Sequence, residues 1–174
     1  MEAEPARRMT LIVIIAGFTA LSLLAHELGH LAAARWCRVT CKELALGLGP
    51  RLCGLRAWGV SFNLRAVPLG SFVRLDGTEL RSRSVGQQLF VHLGGVLANA
   101  ILGVVFLHHP FGWLNLLIAG GNLLPIYQHD GWKCGLVLTR ALLGRASRPL
   151  EQTFTFSGGF LSLIIILAVV RLCF

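Results

Sequence analysis

Charge is what this chain has least of: 14% of its 174 residues are Asp, Glu, Lys or Arg, against roughly 25% in an ordinary soluble domain. With 55% hydrophobic residues and a mean hydropathy of +0.69, there is more apolar side chain than one small core can hide from water. Neither a soluble globular domain nor a disordered chain fits. Acidic residues are scarcer than basic ones, eight against sixteen. No basic face interleaved with aromatics of the kind that stacks bases is present, so nucleic acid is not an expected partner. The five cysteines, Cys37, Cys41, Cys53, Cys134 and Cys173, lack paired spacing, which argues against a secreted disulfide framework and for thiols. Internal repeats and low-complexity tracts are lacking too, and one domain over 1–174 is expected.

What the chain does have is long apolar runs. A bilayer core about 30 Å thick takes about 20 helical residues to cross, and four stretches approach that length: 9–35, about 89–107, about 111–126 and about 154–170. They predict an all-α membrane protein, a polytopic bundle of about four transmembrane helices in a lipid bilayer. The third stretch is the shortest and carries Gly120, Gly121 and Pro125, predicting a helix that breaks near its end, as is tolerated at membrane depth only beside protein or a wet cavity. Arg7 and Arg8 before the first run, with Ala20-Leu21-Ser22 inside it, have the outline of a leader and cleavage site. The apolar pattern continues past Ser22, so the run is read as a retained helix. Basic residues concentrate in the connection 36–85 and again at Lys133, Arg140, Arg145 and Arg148. By the positive-inside rule both connections are cytoplasmic and the two ends face outward.

In the 36–85 connection, Trp58, Val60, Phe62 and Leu64 alternate with Gly59, Ser61, Asn63 and Arg65, a period of two that predicts a strand. Gly47, Gly49 and Pro50 before it, and Pro68 with Gly70 after it, punctuate a small membrane-associated hairpin or sheet, with Phe72 to Leu75 as a further strand. Leu136 to Leu143 predicts a cytoplasmic or interfacial helix.

The string His26-Glu27-Leu28-Gly29-His30 carries the chemistry. On a helix His26 and His30 are one turn apart on one face, so two imidazoles can converge on one metal while Glu27 lies close enough to handle a proton. A charged side chain at a helix centre costs about 2.5–3.5 kcal/mol on an insertion scale, so Glu27 is expected to face a bundle interior or wet cavity. Met9 to His26 covers about 25 Å at helical rise, which sets the motif toward the inner, cytoplasmic part of the membrane. A catalytic zinc site takes three protein ligands and leaves one position for water. The third is expected at Asp130, the carboxylate that directly follows an apolar span, between a helix-opening Pro125 and Gly131, read as permitting a tight turn. His129 is a competing ligand that spacing does not separate from it.

Taken together these residues resemble the site-2 protease family of intramembrane zinc metalloproteases. His26 to His30 match its HExxH, and Asn122, Pro125, Asp130 and Gly131 match its N-x-x-P-x-x-x-x-D-G in register. Gly95 to Asn99 is similar to its G-x-x-x-N element, and Gly49-Pro50 through Pro68-Leu69-Gly70 to its β-hairpin region. The sequence departs from the family's pattern at His129 and Trp132, beside the Asp-Gly pair, and at Ser71, where a second Gly often follows Pro-Leu-Gly. The resemblance implies an intramembrane zinc endopeptidase with one zinc per chain, held by His26, His30 and Asp130, and Glu27 as catalytic base. It implies a transmembrane protein as substrate, unwound locally for cutting. The compact core and the lack of a recognisable retention signal point to a prokaryotic cell membrane as the expected setting. On this reading the strand around Trp58 to Leu64 offers substrate an edge, and Asn99 and Asn122 contact substrate backbone or the oxyanion, with helix-helix hydrogen bonding as the alternative for both.

Two other classes stand beside the protease. One is a catalytically inactive relative that binds or chaperones membrane proteins, which retention of Glu27 disfavours. The other is a zinc transporter, which would need ionisable residues along the second and fourth spans, and those spans have almost none. His92 is expected to pack within the bundle, His108-His109 to sit in a tight outer turn, and Cys37 with Cys41 to form no second metal site.

Overall fold

The computed structural model describes residues 3–144 and 148–173. In chain order these form α1 (Ala3–Trp36), β1 (Cys41–Ala57), β2 (Val60–Leu75), α2 (Gly77–Arg81), α3 (Val85–Val105), α4 (Pro110–Leu123), α5 (Asp130–Leu143) and α6 (Arg148–Cys173). The protein is mainly helical with one small sheet, as expected. Among the described residues, two helices are long and apolar enough to cross a membrane, Ala6–Trp36 within α1 and Val85–Val105. The 14 residues of α4 reach only about 21 Å at helical rise. It ends where the sequence predicted a break: Leu124, held extended by the following Pro125, caps it. α5 begins at Asp130, six residues before the expected Leu136.

The starts of the shorter helices follow from local chemistry. Ser84 and Gln87 form a reciprocal capping box on α3. The Asp76 carboxylate accepts from the backbone of Thr78 and Glu79 at the start of α2. Pro110 occupies the first turn of α4, where a missing N–H costs nothing.

β1 and β2 are antiparallel around a two-residue turn, Trp58-Gly59, whose φ values of 50° and 79° belong to a tight hairpin turn. Trp58 is therefore in the turn, not the strand, and is 82% exposed. Both strands fold back on themselves. Glu43 lies opposite both Arg74 and Ser61, and Leu44 opposite both Val73 and Phe62, while Cys53 to Ala57 pair with Leu64 to Val60. Segment 43–46 thus sits between 71–74 and 61–64, running parallel to the latter, and 53–57 lies beyond. The Glu43 carboxylate pins this fold-back: it accepts from Arg65 and Asn63 at 2.7 Å each and pairs with Arg74 at 3.6 Å.

Leu31 of α1 packs with Cys41, Leu44 and Val60, joining the sheet to the first helix. Ala33, Ala34 and Cys37 pack against Leu80 and Val91, joining α1 to α2 and α3. The opposite half of α1 is bare, with Met9, Ile12, Val13 and Ile15 each more than 60% exposed.

Candidate metal centre

The centre starts from a close helix crossing. A Cβ on Gly29 would collide with the Gly94 carbonyl, and one on Gly94 would come within 2.6 Å of the Gly29 carbonyl, so α1 and α3 meet backbone to backbone, as small residues allow. Three residues before and one after Gly29, His26 and His30 are thereby pressed against α3, 6% and 8% exposed. Gly95 faces them. A Cβ there would lie 2.5 Å from His30 Nε2 and 2.6 Å from His26 Nε2, so the space between the imidazole nitrogens exists because residue 95 has no side chain.

Asp130 arrives from the other side of the molecule. After α4 stops, residues 124–129 lead to α5, whose first residue is Asp130. Gly131 is what brings it in, since a Cβ at that position would strike the Leu123 carbonyl at the end of α4. Gly131 is helical and serves close approach, not the tight turn its sequence context suggested; the left-handed residue of this connection is Gln128, at φ 72°. Asp130 Oδ2 then lies 3.0 Å from His26 Nε2 and 3.1 Å from His30 Nε2, and the two nitrogens are 3.1 Å apart. His129 turns instead toward the Tyr127 carbonyl, 3.4 Å from its Nδ1. Among the described residues His26, His30 and Asp130 are the one cluster with metal-ligand geometry.

Hydrogen bonds behind the imidazoles say what this cluster suits. Asn115 donates from Nδ2 to the Phe111 carbonyl at 2.8 Å, which turns its Oδ1 toward Asn99. Asn99 donates from Nδ2 to that oxygen at 2.8 Å and to the Ser22 carbonyl at 3.3 Å, leaving its own Oδ1 facing His26 Nδ1 at 3.0 Å. An amide oxygen only accepts, so His26 carries its hydrogen on Nδ1. The Val91 carbonyl, 2.9 Å from His30 Nδ1, fixes the same tautomer there; the Gly95 amide approaches that nitrogen more weakly, at 3.4 Å. When both imidazoles are neutral in this tautomer, two nitrogen lone pairs and a carboxylate oxygen converge with no hydrogen between them. A cation satisfies that arrangement. Donor atoms held at about 2.0–2.1 Å from a tetrahedral zinc are about 3.3 Å apart, close to the three separations here, so the residues fit the metal.

Asn99 is fully buried behind His26 and does not line the cavity in front of it. Its hydrogen bonds run to His26, Asn115 and the Ser22 carbonyl, the helix-helix bonding that stood as the alternative for it. That cavity, about 400 Å³, is walled by His26, Glu27, His30 and Asp130, with Asn122 and the segment from Ser71 at its rim. Asn122 lines it, and its Nδ2 donates to Ile118 of its own helix at 2.9 Å. Glu27 is 5% exposed and its Oε1 accepts from Ser71 Oγ at 2.7 Å. His92, read as a packing residue, and Lys133 also line the cavity. The strand expected to offer an edge, 60–64, is paired on both sides. Among the described residues, the unpaired side of the sheet next to the cavity belongs to 71–75.

Asn115, Ser71 and Lys133 were missed as site residues. The signal for Asn115 was present: an amide in an apolar run is costly to bury unpaired, the argument that singled out Glu27.

With this geometry in view, comparison with known proteins is informative. Residues 13–111, more than half the chain, match Peptidase family M50, and the chain belongs to that family, in accord with the resemblance read from its motifs. It is 32% identical over 103 residues to a protein of Clostridium acetobutylicum, covering 55% of this chain and 30% of the relative. To one of Clostridium perfringens it is 32% identical over 105 residues, covering 56% and 31%. To one of Treponema pallidum it is 28% identical over 142 residues, covering 69% and 32%. All three bear the name "putative zinc metalloprotease". The chain spans under a third of the length of these curated relatives.

Proposed function

We propose that this protein is a zinc-dependent endopeptidase that works within the membrane, hydrolysing peptide bonds in or near transmembrane segments of membrane-anchored proteins. The observation that carries the reading is the convergence of His26, His30 and Asp130 at 3.0–3.1 Å, with Glu27 in the wall of the same cavity. A purely structural metal site has no use for a buried carboxylate beside its ligands.

His26, His30 and Asp130 would hold the zinc, which would supply Lewis acidity for the hydrolysis. Glu27 is the general base. Ser71 occupies its Oε1, so Oε2 is the atom that takes the proton from water and returns it to the leaving nitrogen. Asn99 and Val91 hold the two imidazoles in the tautomer that keeps Nε2 free. That Asn122 lines the cavity supports its contacting substrate backbone.

A helical substrate hides its peptide bonds in its own hydrogen bonds, so it must be extended before cutting. The unpaired side of 71–75 supports a route in which the opened segment adds to the sheet, exchanging helix bonds for strand bonds beside Glu27. The apolar length of α1 and α3 and the exposed outer half of α1 support a membrane setting. The basic connections support a cytoplasmic-side active centre, in what we read as a multi-pass protein of about four spans in a prokaryotic cell membrane.

The test is Glu27→Gln, assayed on a panel of single-span membrane segments carrying a reporter at each end. The proposal expects zinc content as in the unsubstituted protein and a loss of cleavage of about 10²–10⁴-fold. Unchanged cleavage in the variant rejects it, and absence of cleavage in both proteins with zinc bound favours the inactive, membrane-protein-binding relative.

A further inference from the structure

Asp130 presents its two carboxylate oxygens to different partners. Oδ2 faces both imidazoles, whereas Oδ1 is gripped by Lys133 Nζ at 3.0 Å, one turn along α5. The Asp130 side chain is 2% exposed and that of Lys133 36%, and Lys133 lines the same cavity. We propose that Lys133 is a positioning residue that makes Asp130 a one-oxygen ligand, leaving the fourth metal position open for water. The inference rests on the metal-centre reading above and deepens it.

A carboxylate bound to zinc uses one oxygen or both. If both enter, three residues supply four donor atoms, and the position that a catalytic site keeps for water is taken up. A charge-assisted N–H···O bond of 3.0 Å engages a lone pair on Oδ1 and adds a cation that opposes approach of a second cation to that oxygen. Oδ2 has no such competitor. Two contacts fix the setting of the carboxylate: Gly131 packs the backbone against the end of α4 and Lys133 holds Oδ1. Among the described residues Lys133 makes its hydrogen bond and ion pair to the Asp130 carboxylate and none to the two imidazoles or Glu27. It is partly exposed, so its loss leaves no buried hole.

The experiment uses the full chain in detergent loaded with cobalt(II), whose visible absorption is intense in four-coordinate sites and weak in five- or six-coordinate ones. Lys133→Met, Lys133→Arg and His26→Ala are compared with the unsubstituted protein. The expected result is an intense spectrum in the unsubstituted protein, a severalfold loss of absorption per bound cobalt in Lys133→Met, and its retention in Lys133→Arg, which still donates to Oδ1. An unchanged spectrum in Lys133→Met overturns the proposal while leaving the metal centre intact. Cobalt binding in His26→Ala equal to that of the unsubstituted protein overturns the metal centre, and this inference with it.

Discussion

His26 and Asn99 are 73 positions apart in the chain, yet Nδ1 of one lies 3.0 Å from Oδ1 of the other. This contact converts the packing of two helices into the protonation pattern of a ligand. The Asn99 amide can present its oxygen to His26 only because its nitrogen is committed to Asn115 and to the Ser22 carbonyl, and Asn115 is committed in turn to Phe111. α1, α3 and α4 together therefore decide which imidazole nitrogen is bare.

Asn99→Ala is expected to weaken zinc binding by about 10–100-fold, the range found when the partner behind a metal-bound histidine is removed. Competition against a chelator of known affinity measures it. Asn99→Asp, which keeps an acceptor facing Nδ1, is expected to retain more of the affinity than the alanine variant; equal loss in both contradicts the orienting role.

Gly95→Ala places a methyl group 2.5–2.6 Å from both Nε2 atoms and is expected to abolish zinc binding. Gly120 has nothing within 4 Å of the same added atom, so Gly120→Ala is the matched control and keeps its metal. Elemental analysis of the two purified variants decides between them.

Glu43 supplies a pH dependence remote from the centre. Its hydrogen bond from Arg65, aided by Asn63, holds its carboxyl below the usual carboxylate range. A lowered folded-state value means stabilisation that is present above the ordinary glutamate pKa of about 4.3 and is lost as pH falls through the lowered value. Thermal melting in detergent between about pH 3 and 6 is expected to show an acid loss in the unsubstituted protein that is smaller in Glu43→Gln. A parallel acid slope in both would remove Glu43 from the account.

The parts of this site that depend on spacing along one helix were legible in the sequence. His26, Glu27 and His30 needed only the helical repeat; the rarity of a carboxylate directly after an apolar run pointed to Asp130 but left His129 beside it, and the family motif supplied the choice. What escaped was set by contacts between distant segments. Nothing local shows that β1 and β2 fold back so that 60–64 is enclosed and 71–75 left unpaired, because a period of two reports a strand and not its neighbours. The roles of Gly95 and Gly131 escaped for the same reason: each is a glycine because of what another helix puts beside it. Lys133 reads from sequence as an ordinary cytoplasmic cation, and only the position of Oδ1 gives it a partner.

The central claim is that three residues from two distant segments form one zinc site. Zinc content of the detergent-purified chain, compared with His26→Ala and Asp130→Ala, tests it most directly. The account predicts about one zinc per chain and loss of it in both variants. Zinc retained in Asp130→Ala, or no zinc in the unsubstituted protein prepared without chelators, would contradict it.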